Sequence, residues 1–133
     1  MSKPAISILG AGFAALTAAQ TLRKQLPEAK ITLIAPRSQF EYFPSLIWVP
    51  TGLRQRKDIL HSLDGFFQRH DITFKQASVT GLSAGGRTVE TSDGSVTNDA
   101  LVIATGGRFI KKMPGIEHAL TICEGIDAAE AIG

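Results

Sequence analysis

The chain has 133 residues, 44% hydrophobic and 20% charged, with a net charge of +2. That length fits one domain whose folding hides about two-thirds of the unfolded chain's surface, so no disulfide or metal staple is needed. The basic residues gather only mildly, at Arg54, Arg56, Lys57 and at Arg108, Lys111, Lys112; both clusters read as solvated surface, and nothing makes a case for nucleic acid.

Ala5 to Leu9 predicts a short buried strand. Gly12 to Leu26 predicts a helix, with Phe13, Leu16, Ala19, Leu22 and Leu26 on one face and Gln20, Arg23 and Lys24 on the other. Pro27 ends it. Lys30 to Ala35 predicts a second strand, stopped by Pro36. A β-α-β run of about 30 residues is the crossover unit that forces parallel strands. Arg37 to Arg56 reads as a linking segment. Lys57 to His70 reads as one helix, its stripe made by Ile59, Leu60, Leu63, Phe66 and Phe67, with Gly65 weakening it. Ile72 to Lys75 is a third strand. Ser78–Leu82, Arg87–Thr91 and Ser95–Thr97 then form an antiparallel meander, turned at Gly85-Gly86 and Asp93-Gly94. Ala100 to Ala104 is apolar throughout, as a strand buried on both faces would be, and Thr105-Gly106-Gly107 follows. The fold class is α/β: a Rossmann-like doubly wound parallel sheet with a small antiparallel β-meander, occupying residues 1–133 as one domain.

Gly10-Ala11-Gly12-Phe13-Ala14-Ala15 has the form G-x-G-x-x-A between a strand and a helix. Gly10 permits the tight turn, Gly12 lets a pyrophosphate approach the backbone, and Ala15 lets helix and strand pack closely. The free N–H groups and positive dipole end of the helix face the phosphates. The acid that binds the ribose of NAD belongs about 20 residues on, at the end of the second strand; here that place holds Ala35-Pro36-Arg37. An Arg there suits the 2′-phosphate of NADP, or stacks on an adenine, so the residues leave NADP and FAD both open.

The chain resembles the N-terminal part of sulfide:quinone oxidoreductases and their relatives, flavocytochrome c sulfide dehydrogenases and type II NADH dehydrogenases, all of the pyridine nucleotide-disulfide oxidoreductase superfamily. The resemblance covers nearly all of the chain. It rests on "ILGAGFAALTAA", "ITLIAPRSQFEYFPSLIWVPTG", "LVIATGG" and "ICEGIDAAEA". It implies an FAD domain in which Gly10, Ala11, Gly12, Ala14 and Ala15 hold the pyrophosphate and Arg37 lies against the adenosine. Phe43, Pro44, Ser45 and Trp48 would pass near the isoalloxazine. Val79 would meet adenine through its backbone, and Ala104, Thr105 and Gly106 would close on the dinucleotide. The Pro-Ser-x-x-Trp stretch resembles the sulfide-oxidising branch. So does Cys123, which sits where that branch carries a redox or sulfur-handling thiol, although the Thr and His that follow it there are missing.

Cys123 is the chain's one cysteine, so it forms no internal disulfide; it reads either as a thiol activated near a helix N-terminus or as a small buried hydrophobe. His61, His70 and His118 have no metal-like spacing. No secretory signal and no run of about 18 apolar residues is present, which leads to the expectation of a cytoplasmic protein, with peripheral membrane association for a complete form. Family chains run about three times longer. The chain therefore reads as an N-terminal piece or a naturally short module that binds FAD, with sulfide and quinone as partners only of the complete protein. A type II NADH dehydrogenase fragment, a non-catalytic NAD(P) module and a homo-oligomer or partner-dependent assembly are the alternatives.

Overall fold

The computed structural model describes residues 3–133, and they divide into two compact units. The first takes in the chain up to Ser38 and Leu63–Gly106. Its centre is the expected βαβ: β1 (Ala5–Leu9), α1 (Phe13–Gln25) and β2 (Lys30–Ala35). β1 and β2 run parallel, with Ile8 opposite Leu33 and Leu9 opposite Ile34. α3 (Asp64–Arg69) leads into β5 (Thr73–Gln76), parallel to β2, and β9 (Ala100–Ile103) lies parallel to β1 on its other side. The sheet order is thus β5-β2-β1-β9.

Period-two alternation gives each strand two faces. Leu9 and Ile34 cluster with Ala77 and Val89, which brings the meander of β6 (Val79–Leu82), β7 (Thr88–Thr91) and β8 (Gly94–Thr97) against the sheet. The meander is antiparallel in chain order, and Gly94 takes φ +81° in its last turn. Ile6, Ile8, Ile31 and Leu33 fill the other face and are also buried. α1 packs against β1, β2 and β9. Its fully buried residues are Ala15 and Ala19; Phe13 and Leu26, at the ends of the predicted face, are exposed. Arg23 fastens the far end of α1. Its guanidinium donates to the carbonyls of Pro27, Ala29, His70 and Asp71 at 2.5–2.9 Å.

β9 departs from the reading of its apolar run. It is an edge strand, and Ile103 is 63% exposed. Its sequence is that of a strand buried on both faces, but its place in the sheet leaves one side unpaired.

The second unit is Gln39–Ser62 with Gly107–Gly133. The expected linking segment is structured here: β3 (Gln39–Glu41), a 3-10 helix Phe43–Trp48, and α2 (Arg56–Ile59) running into β4 (Leu60–Ser62). Two 3-10 turns, Ile116–His118 and Ile122–Glu124, precede α4 (Ile126–Ile132). The single helix expected over Lys57 to His70 is therefore α2, β4 and α3. A capping box between Gln55 and Asp58 starts α2, and Leu60 is already extended at φ −97°, ψ 125° because β4 pairs with β3, Phe40 opposite His61. The apolar stripe serves two cores. Ile59 joins Leu46, Val49, Ile126 and Ala129, while Phe67 stacks on Phe74 at 4.9 Å in the first unit.

Candidate functional site

In the parallel sheet β1 has β2 on one side and β9 on the other, so the strand order reverses at its C-terminal end. Open α/β sheets bind ligands in the crevice at such a point. Gly10 leaves β1 there with φ +110° and donates its N–H to Ile34 O at 2.9 Å. A Cβ on Gly10 would stand 2.2 Å from Ala104 O. Ala104 is itself fixed by donating its N–H to Leu9 O at 2.9 Å. The glycine is required by its dihedral and by the carbonyl that closes over it; the motif announced the first reason and not the second.

Gly12 is the N-cap of α1, and no side chain caps that helix. The first turn holds no acid. Leu16 N–H makes the first helical bond, to Gly12 O at 3.0 Å, so the N–H groups of Ala14 and Ala15 have no acceptor within the helix. A Cβ placed on Gly12 would meet nothing within 4 Å. The space over Gly12 is open, backbone donors and the positive dipole end border it, and Ala15 is small and fully buried beneath. These residues fit a diphosphate.

The structure brings several other predicted residues to the same sheet edge. Arg37 is exposed two positions past the end of β2. Thr105 and Gly106 are exposed just past β9, and Ala11 and Ala14 border the motif turn. Val79 opens β6 opposite Thr91, next to a register shift before Gly81.

Pro44, Ser45 and Cys123 belong to the second unit. Pro44 is exposed and Ser45 half-buried in the 3-10 helix, with Ser45 N–H donating to Tyr42 O at 3.2 Å. Phe43 and Trp48 are 46% and 48% exposed. Cys123 is half-buried, its N–H donating to Thr121 Oγ1 at 3.2 Å. With Phe109, Met113 and Leu120 it lines a mostly apolar cavity of about 320 Å³. The first N–H of the nearby α4 donates to Glu41 Oε1 at 2.7 Å. Lys111 pairs with Glu124 and, by hydrogen bonding first and charge second, holds that carboxyl below its usual range. Arg56 reaches Asp127 and Glu130, each at 2.6 Å, which drives its own pKa upward, through Glu130 first. Glu41 and Arg56 had no signal in the sequence, since their partners lie more than 70 positions away. His70 gives its carbonyl to Arg23, and His118 lies 3.6 Å from Glu117. Among the described residues no cluster of His, Cys, Asp and Glu could hold a metal ion, and no helix is long and apolar enough to cross a membrane.

The family described as pyridine nucleotide-disulphide oxidoreductase matches residues 4–133. A type II NADH:quinone oxidoreductase of Staphylococcus aureus is 33% identical over 134 residues, which cover 94% of this chain and 32% of that protein. The sulfide:quinone oxidoreductase from the hyperthermophilic bacterium Aquifex aeolicus superposes with a TM-score of 0.88 at 29% identity, over 98% of this chain and 30% of that one. NDH2 from Plasmodium falciparum shares the fold, with a TM-score of 0.84 at 21% identity, over 98% of this chain and 28% of that one. The chain spans about a third of the length of the curated relatives it matches.

Proposed function

This chain belongs to the pyridine nucleotide-disulphide oxidoreductase family, and we propose that it is the FAD-binding domain of a quinone oxidoreductase of the sulfide-oxidising type. The cofactor is FAD. The observation that carries the reading is the crevice at the ends of β1 and β9, with open space over Gly12 beneath an uncapped helix. Backbone N–H groups of Ala14 and Ala15 take the pyrophosphate, and Gly10 and Ala104 fix the two strand ends that form the floor. Ala11, Thr105 and Gly106 border the crevice, and Arg37 and Val79 flank the adenosine. Pro44 and Ser45 are assigned to the flavin side. FAD supplies the electron chemistry when bound; the chain's part is to bind and orient it.

Sulfide as donor is supported by the likeness to the Aquifex aeolicus enzyme, by Pro44-Ser45 with Trp48, and by Cys123 as the sulfur-handling thiol. The identity to the Staphylococcus aureus protein favours a second reading, with NADH as donor. A quinone is the acceptor in both. The first test is an absorbance spectrum after addition of excess FAD and desalting. A retained oxidised-flavin band supports the domain assignment, and its loss on desalting counts against it. Anaerobic addition of sulfide or of NADH to the complete flavoprotein of which this domain is a part then separates the donors. Bleaching by sulfide alone supports the first reading, and bleaching by NADH alone the second.

A further inference from the structure

We propose that the apolar cavity beside Cys123 is a binding site for a single-chain anionic amphiphile, a medium-chain carboxylic acid whose tail fills the cavity and whose carboxylate meets Lys112. Every lining residue lies between Phe109 and Cys123, within the second unit. The site is therefore built without any residue of the dinucleotide crevice and holds whether or not FAD binds there. The stretch folds back on itself to make the walls. Gly115 takes φ +83°, Ile116 N–H donates to Met113 O at 3.1 Å, and Ala119 N–H donates to Ile116 O at 3.1 Å. Ile122, next to Cys123, packs on the core of the second unit, which ties that end of the stretch down.

Exposure, size and charge select the occupant. Phe109, Ile110, Met113 and Leu120 line the cavity and are 67%, 73%, 67% and 56% exposed. Four large apolar side chains left in water so close together form a surface that gains by being covered. A volume of about 320 Å³ stands at the small end of ligand pockets. It admits one acyl chain of moderate length and not the paired chains of a phospholipid. The charged side chains of the lining are both cationic, Lys111 and Lys112. Lys111 is held by Glu124. Lys112 is exposed and in no ion pair among the described residues, and Arg108 stands exposed beside Phe109. An apolar lining with a cation at its edge matches an apolar tail with an anionic head. A chain bound there would also cover Cys123, which is half-buried in the wall.

Cys123 is the chain's one cysteine, so the rate of its alkylation by iodoacetamide, followed by mass spectrometry, reports occupancy. The probes are hexanoate, octanoate and decanoate below their micelle concentrations, decyltrimethylammonium as a tail of opposite charge, and phosphatidylglycerol vesicles. Saturating decanoate is expected to slow alkylation about fivefold or more, since a bound chain buries the wall it lies on. The half-protecting concentration should fall about fourfold for each added methylene. Decanoate should protect better than decyltrimethylammonium, with the gap closing at high salt, and K112Q should narrow that gap. A119F, which narrows the cavity, should abolish protection while the denaturant melt followed at Trp48 is unchanged; where A119F does not fold, M113S, at an exposed position, should raise the half-protecting concentration of decanoate several-fold. No protection by decanoate overturns the proposal, and so does equal protection by the two charges or protection that neither variant alters. Protection by the vesicles with none by the free acids makes the patch a membrane contact and overturns it as well.

Discussion

The two units are built by different means. The first is laid down along strands: Ile8 and Leu33 are fully buried opposite each other, and the sheet is flanked by α1 and the meander. The second has elements of three to seven residues around a core of Leu46, Val49, Ile59, Ile126 and Ala129. It depends on single contacts: Glu41 at the start of α4, and Arg56 bridging α2 to Asp127 and Glu130. A fold made of repeated ladder pairs spreads its stability over many residues, whereas one made of point contacts concentrates it in a few.

Four changes would break or sharpen this contrast. The largest effect is expected from G10V, which combines a φ of +110° with a Cβ 2.2 Å from Ala104 O. It should cost about 3–5 kcal/mol and abolish FAD retention; a denaturant melt close to that of the unaltered chain would refute the close approach. I126A removes a side chain 1% exposed in the small core and should cost about 3 kcal/mol. The loss should appear in Trp48 fluorescence while amide exchange in β1 and β2 stays slow. If both units lose protection together, the contrast between them fails.

G12V separates function from folding. With open space at that Cβ and an ordinary φ of −88°, stability should change by less than about 1 kcal/mol, while FAD affinity falls at least about tenfold as the side chain fills the space a phosphate would use. Retained affinity would move the pyrophosphate elsewhere. The smallest effect concerns acid. The Lys111 hydrogen bond holds Glu124 below its ordinary value of 4.5. The stabilisation is present above that value and is lost as pH falls through the lower folded one. The Trp48 signal of the second unit should therefore weaken at acid pH, and E124Q should flatten that dependence.

Legibility from sequence follows the same division. β1 and β2 were readable to the residue because strand burial and the glycine motif are local signals. The meander was readable from its turn residues. The stripe from Ile59 to Phe67 misled because helical spacing carries no information about which core each apolar residue enters. β9 misled because composition reports the burial a strand is suited to, and its sheet position decides the burial it has. The crevice at Gly10 and Gly12 was legible as a motif, but the carbonyl of Ala104, more than 90 positions away, was not.

That distance also sets a clock. β1 leaves the ribosome well before its neighbour β9, which pairs Ala100 with Ile6, 94 residues later. At about 5–20 residues per second, β1 waits roughly 5–20 s with one flank unpaired. For that interval Gly10 has no carbonyl over it and the crevice has only one wall. The nucleotide site is thus among the last features of the sheet to be completed, and a nascent chain stalled before β9 would hold the glycine motif without the place it belongs to.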